Sequence, residues 1–228
     1  MRINKYISET GFCSRRETDR LIEAGRITIN NRICEPGDTV NIGDIVRIDG
    51  QSIPPKKPPV YILLNKPVGI TCTAAQHVKG NIIEFVNHRD RIFPVGRLDK
   101  NSEGLILLTT DGSIVNKILR SEHEHEKEYI VEVDKPIDDA FIQGMSSGVE
   151  ILGTKTKPCK VSKLADSVFR IVLTQGLNRQ IRRMCKSFGY NVTKLERIRI
   201  MNLTIEGLSK GQWRNLTSEE LQQLVSLL

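Results

Sequence analysis

The apolar runs of this 228-residue chain fall well short of the ~20 residues a membrane-spanning helix needs, so no transmembrane segment is expected. The opening residues, MRINKYISETGFCS, lack the apolar core and small-residue cleavage site of a secretory signal. Cysteine is sparse: five residues, at 13, 34, 72, 159 and 185, with no C-x-x-C pair. An odd, scattered set suits a reducing compartment, so a cytoplasmic protein without disulfides is expected. The four histidines form neither a zincin helix nor a Cys/His module. His123-Glu124-His125 holds metal-ligating groups by proximity alone and reads more simply as exposed polar residues before a strand; no metal is expected. Also missing are a G-x-G-x-x-G on a strand–helix junction, a G-x-x-x-x-G-K-[ST] loop, a G-x-S-x-G elbow and an H-E-x-x-H helix. Nucleotide cofactors, serine hydrolysis and zinc peptidase chemistry are thereby left without support, and no cofactor is expected.

What is present is a soluble composition, 39% apolar and 27% charged, long enough for one full core and a small extra module. The formal charge is +7, and its placement matters more than its sum. Residues 1–50 read as a small α/β domain. RINKYISE is a first helix, and Ser14 with Glu17 forms an S-x-x-E capping box for a second over 15–24, with Leu21, Ile22 and Ala24 available to a core. Short strands follow, with turns at Asn30-Asn31 and Gly43-Asp44. Lys5, Arg15, Arg16, Arg20 and Arg26 crowd or flank the second helix. Cations at a helix start oppose the dipole, so Arg15 and Arg16 suit an anionic ligand such as RNA, solvated surface arginine being the plain alternative. Residues 51–59, QSIPPKKPP, carry four prolines and two lysines and read as a linker.

Residues 60–228 form the second domain. Its strands and helices lack a regular β-α-β period, which argues for α+β with a mixed, largely antiparallel sheet. Lys66 follows the first strand in a Lys-Pro-Val-Gly turn, placed to touch phosphate or simply to occupy the turn. Residues 94–112, PVGRLDKNSEGLILLTTDG, place Asp99 in a polar loop before an apolar strand over 105–109, with Arg97 two residues away. A carboxylate there can be a nucleophile, a base or an ordinary turn residue. Lys127 to Asp134 alternates as a strand with Tyr129, Val131 and Val133 on one face. Asn178 is a plausible N-cap for a helix striped by Ile181, Met184, Cys185 and Phe188. Its remaining positions hold Arg179, Arg182, Arg183 and Lys186, and residues 179–199 carry seven basic side chains against one acid. Thr217 and Glu220 make a second capping box, for a helix lined by Leu221, Leu224, Val225 and Leu228; the single Trp213 reads as packing. Asp99, Tyr129 and Arg182 together suggest a carboxylate beside a guanidinium under an aromatic ring, a site for one flat base lifted out of an RNA.

GRLDKNSEGL closely resembles the catalytic motif of pseudouridine synthases. NKPVG, the Lys127-x-Tyr129 element and GLNRQIRRM resemble the other motifs of the branch that acts on ribosomal RNA. RINKYISETGFCSRRETDRLIEAGRITIN resembles the S4-like RNA-binding domain found in front of that branch. The resemblance covers nearly the whole chain, with the motifs in the family's order. It implies a pseudouridine synthase fold behind an S4-like domain, and Asp99 as the catalytic aspartate. Tyr129 would stack on the target base, Ile181 would floor the pocket, Arg182 would pair with Asp99, and Arg97 would help fill the gap left by the extruded nucleotide. Lys5, Arg15, Arg16, Arg20, Arg26, Lys66, Arg179, Arg183 and Lys186 would meet RNA. The implied substrate is 23S ribosomal RNA near the peptidyl transferase centre, with 16S ribosomal RNA or transfer RNA as alternatives, acted on by a monomer without cofactor or membrane. Because no basic tail follows the last helix, the body would supply the affinity. The competing expectation is a non-catalytic protein that binds structured RNA, which requires none of Asp99, Tyr129 and Arg182.

Overall fold

A computed structural model describes residues 1–75, 77–120 and 124–228. The chain divides into two compact units, one comprising Met1–Val60, Arg89–Arg91 and Thr110–Gly112 and the other Tyr61–His88, Ile92–Thr109 and Ser113–Leu228. No helix among the described residues is long and apolar enough to cross a membrane.

In the first unit, helices α1 (Ile3–Glu9) and α2 (Arg15–Glu23) cover an antiparallel sheet of β1 (Ile27–Ile29), β2 (Arg32–Ile33), β3 (Val46–Ile48) and β4 (Gln51–Ser52), in the order β2-β1-β3-β4. Its core is Ile3, Ile7, Leu21, Ile22, Ile27, Ile29, Val46 and Ile48. Each fully buried aliphatic side chain contributes about 1.5–3 kcal/mol, so these branched residues hold a unit too small for a large core. Ser14 Oγ accepts the Glu17 N–H at 3.0 Å, but the box is one-sided, because the Glu17 carboxylate is taken by Arg20 Nη1 at 3.0 Å. Ala24 is the exposed C-cap, not a core residue. Asn30 and Asn31 turn with φ of 51° and 67°, the left-handed pair that matches the twist of a tight hairpin. The Pro/Lys-rich stretch begins as strand: Gln51 and Ser52 pair with Ile48 and Arg47.

Among the described residues, the second unit is built on a nine-stranded sheet. Its strands are β5 (Tyr61–Lys66), β6 (Phe93–Val95), β7 (Glu103–Thr109), β8 (Lys127–Val133), β11 (Lys160–Ala165), β12 (Val168–Leu173), β13 (Val192–Ile200), β14 (Leu203–Thr204) and β15 (Trp213–Asn215). A separate hairpin joins β9 (Glu150–Ile151) to β10 (Thr154–Lys155). The order is β11-β12-β8-β13-β7-β5-β15, with β14 on β13 and β6 on β7. Every described strand pairing within this sheet is antiparallel except β13 with β7, so the expected mixed, largely antiparallel α+β sheet is what forms. Helices α3 (Ile82–Val86), α4 (Ser113–Leu119), α5 (Asp139–Ser146), α6 (Gln180–Ser187) and α7 (Ser218–Ser226) lie between strands or at the end of the chain.

Caps fix several of these ends. Asn81 accepts from Ile83 and Glu84, and Asp138 accepts from Phe141. Thr217 and Glu220 complete both halves of their capping box. Along α7, Leu224 is fully buried, whereas Val225 is 54% exposed and does not line the core as expected. Strand β7 starts earlier than the apolar pattern suggested, taking in Glu103 and Gly104, and all seven of its residues are buried. A strand buried on both faces shows no alternation, which is why its polar first residue read as loop.

Candidate active site

The residues around Asp99 form a short loop ahead of β7, braced on two sides. On one side, Gly69 N–H donates to Lys100 O at 2.8 Å and Leu98 N–H to Cys72 Sγ at 3.4 Å. The turn that supplies these contacts is pinned by Lys66, whose Nζ donates to Pro67 O at 2.9 Å and Ile70 O at 3.0 Å. Lys66 is completely buried at the end of β5, which corrects its assignment to RNA contact. Burial pulls its ammonium below the ordinary lysine range, against the opposite pull of Cys72, Glu103 and Asp99. On the other side, Arg182 Nη2 donates to Asn101 O at 2.8 Å and Ser102 Oγ at 3.2 Å, and Nη1 to Val192 O at 3.2 Å. Ser102 N–H closes the loop onto Asp99 O at 3.0 Å.

Two guanidiniums flank the Asp99 carboxylate: Arg179 Nη1 is 3.8 Å and Arg182 Nε 4.0 Å from Oδ2. Both are ion-pair distances beyond hydrogen-bond length. Burial, then Arg179, pulls the Arg182 guanidinium below its ordinary range, while Asp99 acts in the other direction. Arg179 was expected only as an RNA contact. It reaches Asp99 because α6 does not begin at an Asn178 cap: Arg179 itself is the N-cap, left-handed at φ 50°, ψ 37°. Asn178 instead accepts Arg183 Nε and Nη2 through its backbone and side-chain oxygens, and Gln180 Oε1 accepts the Leu177 N–H at 2.9 Å.

Asp99, its side chain 35% exposed, borders a cavity of about 120 Å³ lined also by Tyr129, Ile181, Leu98, Leu173, Leu177 and Leu195. Tyr129 comes from β8 and is nearly buried; Ile181 comes from the first turn of α6. The cavity therefore has apolar and aromatic walls with one carboxylate and three guanidiniums, of Arg97, Arg179 and Arg182, at its edge, the composition that holds a flat polar ring. It opens into a wider cleft of about 400 Å³ that shares Arg97, Asp99, Tyr129, Gly176, Leu177 and Arg179 and adds Lys127 and Arg197. Behind the loop, Glu103 is buried; burial opposes its ionisation, but Lys210 at 2.8 Å and Lys194 at 3.4 Å outweigh it and hold the carboxyl below its usual range.

Residues 60–187 match the family model described as RNA pseudouridylate synthase. The chain belongs to that family. A match to the S4 domain covers residues 1–46. A dual-specificity RNA pseudouridine synthase RluF from Salmonella typhi is 59% identical over all of this chain and 79% of its own length. The Escherichia coli K12 protein of the same name is 58% identical with the same coverage. The ribosomal large subunit pseudouridine synthase B of Bacillus subtilis is 34% identical over 99% of this chain and 96% of its own. Among solved structures, a pseudouridylate synthase superposes with a TM-score of 0.72 at 27% identity, covering 98% of this chain and 99% of that one. This chain is accordingly an RNA pseudouridine synthase with an N-terminal S4 domain.

In the S4 unit, Arg15 and Arg16 are exposed and their side chains have no polar partner among the described residues. Lys5, Arg20 and Arg26 are ion-paired to Glu9, Glu17 and Asp49. In the synthase unit, Arg97, Arg179, Arg183 and Lys186 are exposed. Trp213 is 37% exposed and meets His88 edge-on at 5.8 Å, so it packs only in part. Among the described residues no cluster of three or more His, Cys, Asp or Glu side chains could hold a metal ion, and His123 lies outside the described residues. Motif reading named Lys127 only as part of the Lys127-x-Tyr129 element, without a role, and passed over Arg197. Arg197 stands opposite Tyr129 in the β8–β13 ladder, a register with no local signal in the chain.

Proposed function

We propose that this enzyme isomerises a specific uridine to pseudouridine in structured ribosomal RNA, with Asp99 as the essential carboxylate. The observation that carries the reading is the cavity itself: Asp99 at its edge, Tyr129 and Ile181 on its walls, Arg179 and Arg182 flanking the carboxylate. The uracil N1–C1′ bond breaks, the base turns within the pocket, and C5 bonds to C1′. The C5 proton leaves and N1 gains one, so atoms balance without a co-reactant. Asp99 serves either as a nucleophile at C1′ or as a base on the ribose, and both routes need its carboxylate within reach of the sugar. Tyr129 stacks on the base, Ile181 floors the pocket, and Arg97 occupies the space left in the RNA. Arg182 acts mainly by holding the loop, since its hydrogen bonds go to Asn101, Ser102 and Val192. Flipping the nucleotide costs a few kcal/mol, least where the uridine is already unpaired, so a loop or bulge is the expected target.

The large subunit, at 23S ribosomal RNA near the peptidyl transferase centre, is the proposed location, supported by the large-subunit synthase of Bacillus subtilis among the relatives. The dual-specificity relatives favour a second substrate class, for which transfer RNA is the candidate. Residues 1–46 supply a separate grip on structured RNA through the exposed Arg15 and Arg16. The test is to incubate purified protein with ribosomal and transfer RNA and map pseudouridine chemically beside Asp99→Asn. The variant is expected to fold and bind RNA but to form no pseudouridine. Unchanged activity in the variant would sink the assignment of Asp99, and a wild-type protein inactive on every RNA would favour the binding-only reading.

A further inference from the structure

Two cations of the cleft outside the base pocket, Lys127 and Arg197, have no part in the isomerisation. Tyr129 pairs with Arg197 across β8 and β13, and Lys127 precedes Tyr129 by two residues, so the three side chains project from one face of the sheet. Arg197 is 4% exposed. Its Nε donates to Leu105 O at 2.7 Å, but Nη2 is buried without a hydrogen-bond partner among the described residues. Lys127 Nζ uses one donor on His125 O at 3.1 Å. Among the described residues, the charged side chains lining the cleft are Arg97, Lys127, Arg179 and Arg197 with the single carboxylate of Asp99. Burial and then the neighbouring Arg197 bring the Lys127 ammonium down to about 8, as befits a half-buried cation with no ion-pair partner among the described residues.

We propose that Lys127 and Arg197 form an anion subsite on the floor of this cleft that holds a backbone phosphate of the substrate RNA beside the flipped uridine. The proposal rests on Asp99 being the reaction centre and adds two residues that position the strand. A nucleotide whose base enters the cavity carries a phosphate on either side of its sugar, and the adjoining cleft is the space open to one of them. Phosphate oxygens accept from both an ammonium and a guanidinium, and would give the buried Arg197 charge the acceptor it lacks. A purely structural Arg197 accounts for the bond to Leu105 but not for Nη2, nor for a second cation beside it.

The experiment uses the full-length Asp99→Asn protein, so that binding is read without chemistry. Its ligand is a ribosomal RNA stem-loop that the wild-type enzyme converts, made with a single 2′-O-methyl methylphosphonate at each linkage flanking the target. The matching 2′-O-methyl phosphate is the control. One neutralised linkage is expected to weaken binding several-fold. Adding Lys127→Gln should weaken binding of the unmodified RNA by a similar factor and lower the slope of log affinity against log salt by about 1. It should also reduce the sensitivity at that one linkage, leaving the share that Arg197 supplies, whereas Lys127→Arg should retain it in full. Lys127→Gln removes a half-buried charge, so its melting temperature should not fall; a misfolded variant would lose sensitivity at all linkages together with its melting transition. Retention of the full salt slope and of the linkage sensitivity by Lys127→Gln overturns the subsite. Pseudouridine formation by Asp99→Asn overturns the active-site reading instead, whatever the linkages show.

Discussion

Gly104→Ala is the substitution for which the structure gives the clearest number. Gly104 lies in β7 at φ +102°, in the one parallel register of the sheet, opposite Arg197. A Cβ there would sit 2.2 Å from Arg197 O, 2.6 Å from its N and 2.9 Å from its C, all backbone atoms that no side-chain rotation can move aside. The backbone conformation alone disfavours an L-residue by about 1–2 kcal/mol, and forcing extra volume into a packed site adds about 1–3 kcal/mol. The sum, about 2–5 kcal/mol, is a large share of the 5–15 kcal/mol that stabilises a typical domain. Relief requires β7 to part from β13, which shifts Glu103, the loop carrying Asp99 and the Arg197–Leu105 bond together. Urea denaturation followed by circular dichroism should show the lowered midpoint, and pseudouridine formation should fall with it. Gly207→Ala separates the two contributions, since Gly207 has φ +69° with nothing within 4 Å of its Cβ position. It should lose only the conformational share. If Gly104→Ala is no less stable than Gly207→Ala, the close approach of β7 to β13 is not what the glycine serves, and the reasoning fails.

Two further outcomes follow from the hydrogen bonds. Arg182→Lys keeps a cation but cannot span Asn101 O, Ser102 Oγ and Val192 O at once. Steady-state kinetics should show kcat reduced tenfold or more, about 1.4 kcal/mol, with RNA affinity nearly unchanged; an unaltered kcat would remove Arg182 from loop positioning. Glu220 accepts Arg214 Nη1 and Nη2, both at 2.7 Å, and the Thr217 N–H at 2.8 Å, which together bring its carboxyl from 4.5 down to about 2. A carboxyl depressed on folding stabilises the protein above its unfolded value, and that stabilisation is lost as pH falls from 4.5 towards 2. Glu220→Gln should therefore lower neutral-pH stability by up to about 3 kcal/mol, and the gap from wild type should close in acid. A gap independent of pH between 2 and 6 would show that the ion pair is not its source.

Local order was readable wherever a single element carries its own signal. The caps at Ser14 and Thr217 and the striped helix of Ile181, Met184 and Cys185 are determined by residues a few positions apart, and the structure keeps them. Expectations failed where burial or backbone conformation, and not residue type, decided. Of the two readings of Lys66, phosphate contact or turn residue, the first fails: Nζ is enclosed and bound to the carbonyls of its own turn. Asn178 has the chemistry of an N-cap, but Arg179 takes the left-handed cap position and turns its guanidinium towards Asp99. Val225 continues an apolar helix pattern, yet only Leu224 reaches the core.

By itself, the sequence determined the chemistry available: the motifs around Asp99, Tyr129 and Arg182, the two-part organisation and the basic run over 179–199, because these depend on residue identity and short spacing. Tertiary structure alone decided which charges meet. The parallel approach of β13 to β7 and its antiparallel register with β8 bring Arg197 opposite Tyr129, and the left-handed cap sets Arg179 as close to Asp99 as Arg182. Such contacts join residues tens of positions apart. Register between distant strands comes from global packing of buried faces, which no local stretch of the chain encodes.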